Sequence, residues 1–98
     1  MTVRYTPQAR EDIALVYRYL HERSPSGAAN VLRAIYASAQ FIAEHPQASQ
    51  RTDNPMVRVK IVRRYGYKIF YRIVDDRTVE ILHVRHTSRR PWEVPRHD

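Results

Sequence analysis

The sequence predicts an α+β fold, in which an N-terminal strand precedes an antiparallel helical hairpin packed on a small antiparallel β-sheet. Three observations lead there. Apolar residues recur at helical spacing from residue 6 to 44, they alternate from residue 56 to 86, and two Ser/Thr-Pro pairs, Thr6-Pro7 and Ser24-Pro25, stand where helices would begin. The 98 residues make one domain, 1–98, with 88–98 as a C-terminal tail. That length buries a modest core and is too short for two.

The elements follow in order. Residues 2–5, Thr-Val-Arg-Tyr, read as a short extended piece. Thr6 then caps a helix whose first position is Pro7, where a missing N–H costs nothing. Glu11 and Asp12 fall near the positive end of that helix's dipole. Ala9, Ile13, Val16/Tyr17 and Leu20 form its buried stripe, and the helix is expected over residues 7 to 22. Ser24-Pro25 repeats the start signal, with Ser26 as a competing cap. Ala28, Val31/Leu32, Ile35, Ala39 and Ile42 make the second stripe, which ends at Glu44-His45-Pro46 because the residue before a proline avoids the helical region. Two helices joined by so few residues fold back on each other.

Residues 46–55 have no period and read as a loop. Three strand candidates come after it. Met56–Val62 alternates, with Val57, Val59 and Ile61 expected on one face and Arg58 and Lys60 on the other. Tyr67–Val74 sets Tyr67, Ile69, Tyr71 and Ile73 against Lys68, Phe70 and Arg72. Val79–His86 is rich in β-branched residues. Arg64-Tyr65-Gly66 and Asp75-Asp76-Arg77 supply the turns, and such short connections make neighbouring strands antiparallel. With the hairpin on one face of this sheet, the other face, expected to carry Arg58, Lys60 and Lys68, is left for function or a partner.

Composition narrows the function. There is no Cys, which excludes disulfides, thiolate metal sites and a Cys nucleophile. The longest apolar run, Ile13–Tyr17, is five residues, well short of the ~18 a membrane span needs. No signal peptide is visible, so the chain reads as soluble and cytoplasmic, with no membrane association. The net charge is +7, and it is uneven: residues 51–98 hold twelve Lys/Arg against six Asp/Glu, while residues 1–50 hold five against four. Fifteen of the seventeen cations are Arg, whose planar fork suits phosphate or carboxylate. An acidic or polyanionic partner on the C-terminal half is the implication.

Other chemistries find little support. The second helix carries only Arg33 as a cation, too little for a recognition helix in a DNA groove. The five His lack helical i, i+4 pairing, and His83 and His86 fall on opposite faces of a strand, so no metal is expected. Two Gly cannot build a phosphate loop, and no cofactor is expected. What stands out is the series Arg58, Lys60, Arg63, Arg64, Lys68, Arg72, Arg85, His86, Arg89 and Arg90, interleaved with Tyr. Metal-free RNA cleavage needs a base, cations around the phosphate and an acid. The cations are present, and His86, His83, Tyr71 or Lys60 are candidates for the acid or base. A solvated basic face with core tyrosines explains the same residues equally well.

The order of elements and several local strings resemble the RelE/ParE superfamily of toxins from bacterial type II toxin–antitoxin modules. The strings are Tyr5-Thr6-Pro7-Gln8-Ala9-x-x-Asp12-Ile13, Ser24-Pro25, Ile42-x-x-His45-Pro46, Arg58-x-Lys60, Tyr67-Lys68-Ile69-Phe70-Tyr71-Arg72-Ile73 and Ile81-x-x-Val84-Arg85-His86-x-x-Arg89. They span nearly the whole chain. The resemblance implies one of two targets. RelE-type members cut mRNA on the ribosome; ParE-type members share the fold, lack the nuclease residues and inhibit DNA gyrase by protein–protein contact.

In the RelE pattern two basic residues on the strand after the loop match Arg58 and Lys60, and a third matches Lys68. The arginine after the last strand falls near Thr87, flanked by His86 and Arg89, and the C-terminal tyrosine falls near Glu93 beside Trp92. Half of the nuclease set is therefore present, and the long hairpin with the Val-Arg-His-x-x-Arg ending is closer to ParE. The resemblance thus implies a gyrase inhibitor, with a ribosome-dependent mRNA endoribonuclease using Arg58, Lys60, Lys68, His86 and Arg89 as the alternative, and a non-toxic adaptor of the same fold as a third reading. Target or antitoxin binding would fall to Arg58, Lys60, Lys68, Arg72, Arg85, His86, Arg89 and Arg90. In every case it implies an acidic cognate antitoxin held in a hetero-oligomeric complex.

Overall fold

The structure, a computed structural model, describes residues 1–87 as β1 (Thr2–Tyr5), α1 (Pro7–His21), α2 (Pro25–Glu44), β2 (Gln50–Arg51), β3 (Arg58–Val62), β4 (Tyr67–Ile73) and β5 (Thr78–His86). The expected tail, and with it Arg89 and Arg90, lies outside the described residues. Both helices start as the sequence implies: the Thr6 hydroxyl accepts the Ala9 N–H at 3.0 Å and the Ser24 hydroxyl accepts the Gly27 N–H at 3.1 Å, with proline next in each case. Each cap satisfies one of the amide donors that a helix start leaves without an intrahelical acceptor.

The five strands form one sheet in the order β1-β5-β4-β3-β2. β2 to β5 are antiparallel to their neighbours, but β1 runs parallel to β5, from Thr2 opposite Thr78 to Tyr5 opposite Ile81, so the sheet is mixed. Tight turns dictate direction only between consecutive strands; β1 and β5 are joined through the rest of the chain and are free of that constraint. The 46–55 segment is also more than a loop, since Gln50 and Arg51 pair with Val59 and Arg58.

The helical hairpin covers one face. Ile13 and Val16 of α1 and Ile35, Ala39 and Ile42 of α2 bury against Tyr67, Ile69 and Tyr71 of β4 and Val79, Ile81 and Val84 of β5. Tyr71 is fully buried and still satisfied, its hydroxyl donating to the Pro46 carbonyl at 2.7 Å.

The faces of β3 are the reverse of the expectation. Arg58, Lys60 and Val62 stand opposite Tyr71, Ile69 and Tyr67, all three buried under the helices, whereas Val59 and Ile61 stand opposite Phe70 and Lys68. Directly paired residues project to the same side of a sheet, so Arg58 and Lys60 belong to the helix-covered face and Val59 and Ile61 to the open one. The register is set by Tyr67, Ile69 and Tyr71, which have the larger apolar area to bury. Arg58 and Lys60 are accommodated because they lie toward the margin of that face, where long side chains can leave an aliphatic stem on the core and carry the charge outward.

One carboxylate joins the first helix to the last strand. β1 stops at Tyr5, the Thr6 N–H bonds the Ile81 carbonyl at 3.0 Å, and the Thr6 hydroxyl donates to the Leu82 carbonyl at 3.1 Å. Beyond that point no strand among the described residues pairs with β5 on this side. Asp12, only 5% exposed, takes over: its Oδ2 accepts the Val84 N–H at 3.0 Å, and its Oδ1 accepts from Arg85 at 2.8 Å and from Gln8 at 2.9 Å. It stands in the second turn of α1 as a sheet-edge acceptor, with the helix dipole at most a secondary influence. A burial this deep is tolerable because every oxygen is partnered. Asp12→Ala is expected to lower unfolding free energy by about 2–4 kcal/mol, since it strands the Val84 amide and leaves Arg85 without its counter-charge. Asp12→Asn, which keeps an acceptor, should lose clearly less. Urea denaturation of the three proteins measures both.

Candidate functional site

Among the described residues, the basic side chains singled out in the sequence do not converge. On the helix-covered side, Arg58 Nη1 donates to the Ser49 carbonyl at 2.9 Å and to the Gln47 carbonyl at 3.3 Å, closing the turn that leads from α2 into β2. Lys60 Nζ lies 4.3 Å from the centre of the Phe41 ring, and that ring packs on His45 with centroids 4.9 Å apart. A cation over an aromatic face contributes roughly 0.5–1 kcal/mol at an exposed position, and Phe41 is 38% exposed.

On the open face the picture differs. Lys68 stands opposite Arg85, and Arg72 opposite Glu80. Arg72 Nε donates to Glu80 Oε1 at 2.9 Å, and Arg4, opposite Glu80 on β1, donates to Oε2 at 3.1 Å. Glu80 thus ties three adjacent strands, and hydrogen bonds first from Arg72 and then from Arg4 hold its carboxyl below the ordinary carboxylate range. Arg85 is taken by Asp12, with the His83 ring 3.7 Å from the same carboxylate and 3.3 Å from the Arg85 guanidinium.

The two histidines lie on opposite faces, as expected: His83 pairs with Phe70, His86 with Tyr67. The His86 ring meets the Tyr67 ring edge-on at 5.2 Å. It also lines the turn at Gly66, whose φ of +73° and nearness to the Thr87 and His86 side chains explain why a residue without a Cβ stands there.

Of the expected site residues, Arg58 and Lys60 share the helix side with His86, Lys68 and Arg72 lie across the sheet, and Arg85 is drawn to its edge. This corrects the expectation that Arg58, Lys60 and Lys68 form one basic surface on the open face. Among the described residues no group of three His, Cys, Asp or Glu gathers as a metal site would require, and no helix is long and apolar enough to cross a membrane.

Two concave surfaces were not foreseen. A groove of about 400 Å³ between the helices and β1 is lined by Tyr5, Arg10, Ile13, Tyr17, Leu32 and Tyr36, and burial, then the neighbouring Tyr36, raises the pKa of the Tyr5 phenol. A notch of about 240 Å³ lies along the outer edge of β3, between Phe41, Ala48, Ser49, Lys60, Ile61 and Arg63. Of its tyrosines, the sequence assigns Tyr17 to the buried stripe of the first helix, and it stays 36% exposed at the groove. Nothing local marked the second, because it depends on where β2 begins.

Comparison with known proteins agrees with the fold. Residues 3–91 match the family model described as the ParE toxin of type II toxin-antitoxin system, parDE. The chain is similar to Toxin RelE3 of Caulobacter vibrioides, 30% identical over 90 residues that cover 91% of this chain and 97% of that one. The fold is also that of the chromosomal ParDE TA system from P. aeruginosa, with a TM-score of 0.77 at 18% identity over 90% of this chain and 97% of that one. A chain of the intact E. coli RelBE toxin-antitoxin complex gives a TM-score of 0.66 at 18% identity, covering 90% and 98%.

The pH response of Glu80 is testable. A carboxyl with a lowered folded-state pKa stabilises the fold at pH values above its unfolded value, near 4.3, and loses that contribution as pH falls through the lowered one. Glu80→Gln is expected to cost under about 1 kcal/mol at neutral pH, as exposed arginine partners allow. Its urea midpoint should converge on wild type as pH is taken well below 4.3.

Proposed function

Because this chain belongs to the ParE toxin family of type II toxin–antitoxin systems, we propose that it acts in the cytoplasm as an inhibitor of DNA gyrase, by protein–protein contact and without catalysis. One observation carries the choice over the nuclease. Arg58 and Lys60 are separated from Lys68 by the thickness of the sheet, since Lys60 pairs with buried Ile69 and Lys68 with Ile61 of the open face. A single phosphate in a cleavage transition state needs its cations on one side of one atom. Arg58 is further committed to the Gln47 and Ser49 carbonyls and Arg85 to Asp12. These groups hold the fold together, which leaves them poorly placed to clamp a substrate.

The antitoxin is the second part of the proposal. The groove beside Tyr5, Tyr17 and Tyr36 offers apolar area, Arg10 lines it, and the C-terminal half is strongly cationic. An acidic, partly apolar antitoxin is complementary to both. The test is brief induction of the chain alone in bacteria, with DNA breaks and SOS response scored beside message cleavage by primer extension. Broken DNA with intact messages is the expected outcome. Cut messages with undamaged DNA would overturn the gyrase reading in favour of the ribosome.

A further inference from the structure

One cation lines the groove between the helices and β1 without a counter-charge. Arg10 lies one turn into α1, its N–H on the Thr6 carbonyl at 3.0 Å, at the end where the helix dipole is positive. A cation is disfavoured there, and the first turn of α1 holds no acidic residue to offset it. Arg10 is exposed, and among the described residues its guanidinium has no hydrogen-bond or ion-pair partner. Arg4, Arg72 and Arg85, by contrast, each hold a carboxylate.

The walls beside it are apolar and aromatic. α1 contributes Ile13 and Tyr17 on the same helical face as Arg10, α2 contributes Leu32 and Tyr36 one turn apart, and β1 contributes Tyr5. The Tyr5 and Tyr36 rings meet edge-on with centroids 5.8 Å apart, and among the described residues neither hydroxyl has a hydrogen-bond partner. Burial keeps the Tyr5 phenol protonated, and so a donor, at neutral pH. No acidic residue lines the groove, and its volume of about 400 Å³ falls in the range of small-ligand clefts, roughly 300–1,000 Å³. A guanidinium fork pairs with both oxygens of a carboxylate, and tyrosine rings pack on a flat ring. A phosphate, with its second charge, calls for more than the single cation present.

We propose that this groove binds a small planar aromatic carboxylate, its carboxyl group on Arg10 and its ring among Tyr5, Tyr17 and Tyr36. The binding needs neither the gyrase nor the antitoxin reading. Where the antitoxin reading holds, the two occupants compete for one groove, and the ligand loosens the complex.

Titration of the full chain, refolded away from any co-purified protein, with indole-3-acetate and its neutral isostere indole-3-acetamide tests this. The acid should bind at least about 10-fold more tightly than the amide at low salt, and by a smaller factor at high salt. Arg10→Gln should remove that preference, while Tyr36→Ala should weaken acid and amide alike by about 10-fold. Urea denaturation separates a binding role for Arg10 from a structural one. A cation without a partner at the positive end of a helix adds nothing to the fold, so Arg10→Gln should unfold at an unchanged or higher urea concentration. Equal binding of acid and amide overturns the proposal, as does the absence of saturable binding at millimolar acid. An Arg10→Gln protein that keeps the preference, or that unfolds at clearly lower urea than wild type, overturns it too.

Discussion

The Asp12 carboxylate makes the rest of the structure possible. β1 is four residues long and β5 is nine, so more than half of β5 would face the helices with an unpaired edge. Asp12 supplies the missing acceptor from the second turn of α1 and draws Gln8, Val84 and Arg85 to one point. That contact sets how α1 crosses the sheet, and α2 follows because the hairpin connection is short. The core beneath is centred on Ile35, Ile42, Ile69 and Tyr71, and the Val84 amide beside it is not left without an acceptor.

Charge in this protein is spent locally more than its net value suggests. Glu80 holds Arg4 and Arg72, Asp12 holds Arg85, and two carbonyls hold Arg58. Lys60 keeps only its contact with the Phe41 ring, and it lies with Arg63 and Lys68 around β3 and the adjoining strand. The described cations of the C-terminal half therefore divide into a structural set, Arg58, Arg72 and Arg85, and the others, which are left to meet a partner. A count of positive residues along the sequence merges the two, because pairing across strands joins residues as distant as Arg4 and Glu80.

Much of the fold was legible in the sequence. Both caps, both helical stripes, the two β-turns and the inward face of Tyr67, Ile69 and Tyr71 could be read from spacing and turn chemistry. The faces of β3 could not. Its alternation is clear, but apolar residues occur at both parities, Val59 and Ile61 on one and Val62 on the other, so period alone does not choose the buried side. Asp12 was legible only in part: a carboxylate three residues after Ala9 and one before Ile13, within the apolar stripe, signals a buried partner without naming it. Phe41 beneath Lys60 had no local signal at all.

The sequence by itself determined both helices, the strands other than β2 and their order along the chain, because helix caps, period and turn residues act over a few neighbours and need no knowledge of the rest. Only the tertiary structure decided which cations share a face, which are neutralised, and where the sheet stays open. Those properties depend on register and on contacts between residues as far apart as Asp12 and Val84. A shift of one residue in a strand reverses every side chain on it, and no local pattern in β3 prevents that shift until the tyrosines of β4 have taken the core.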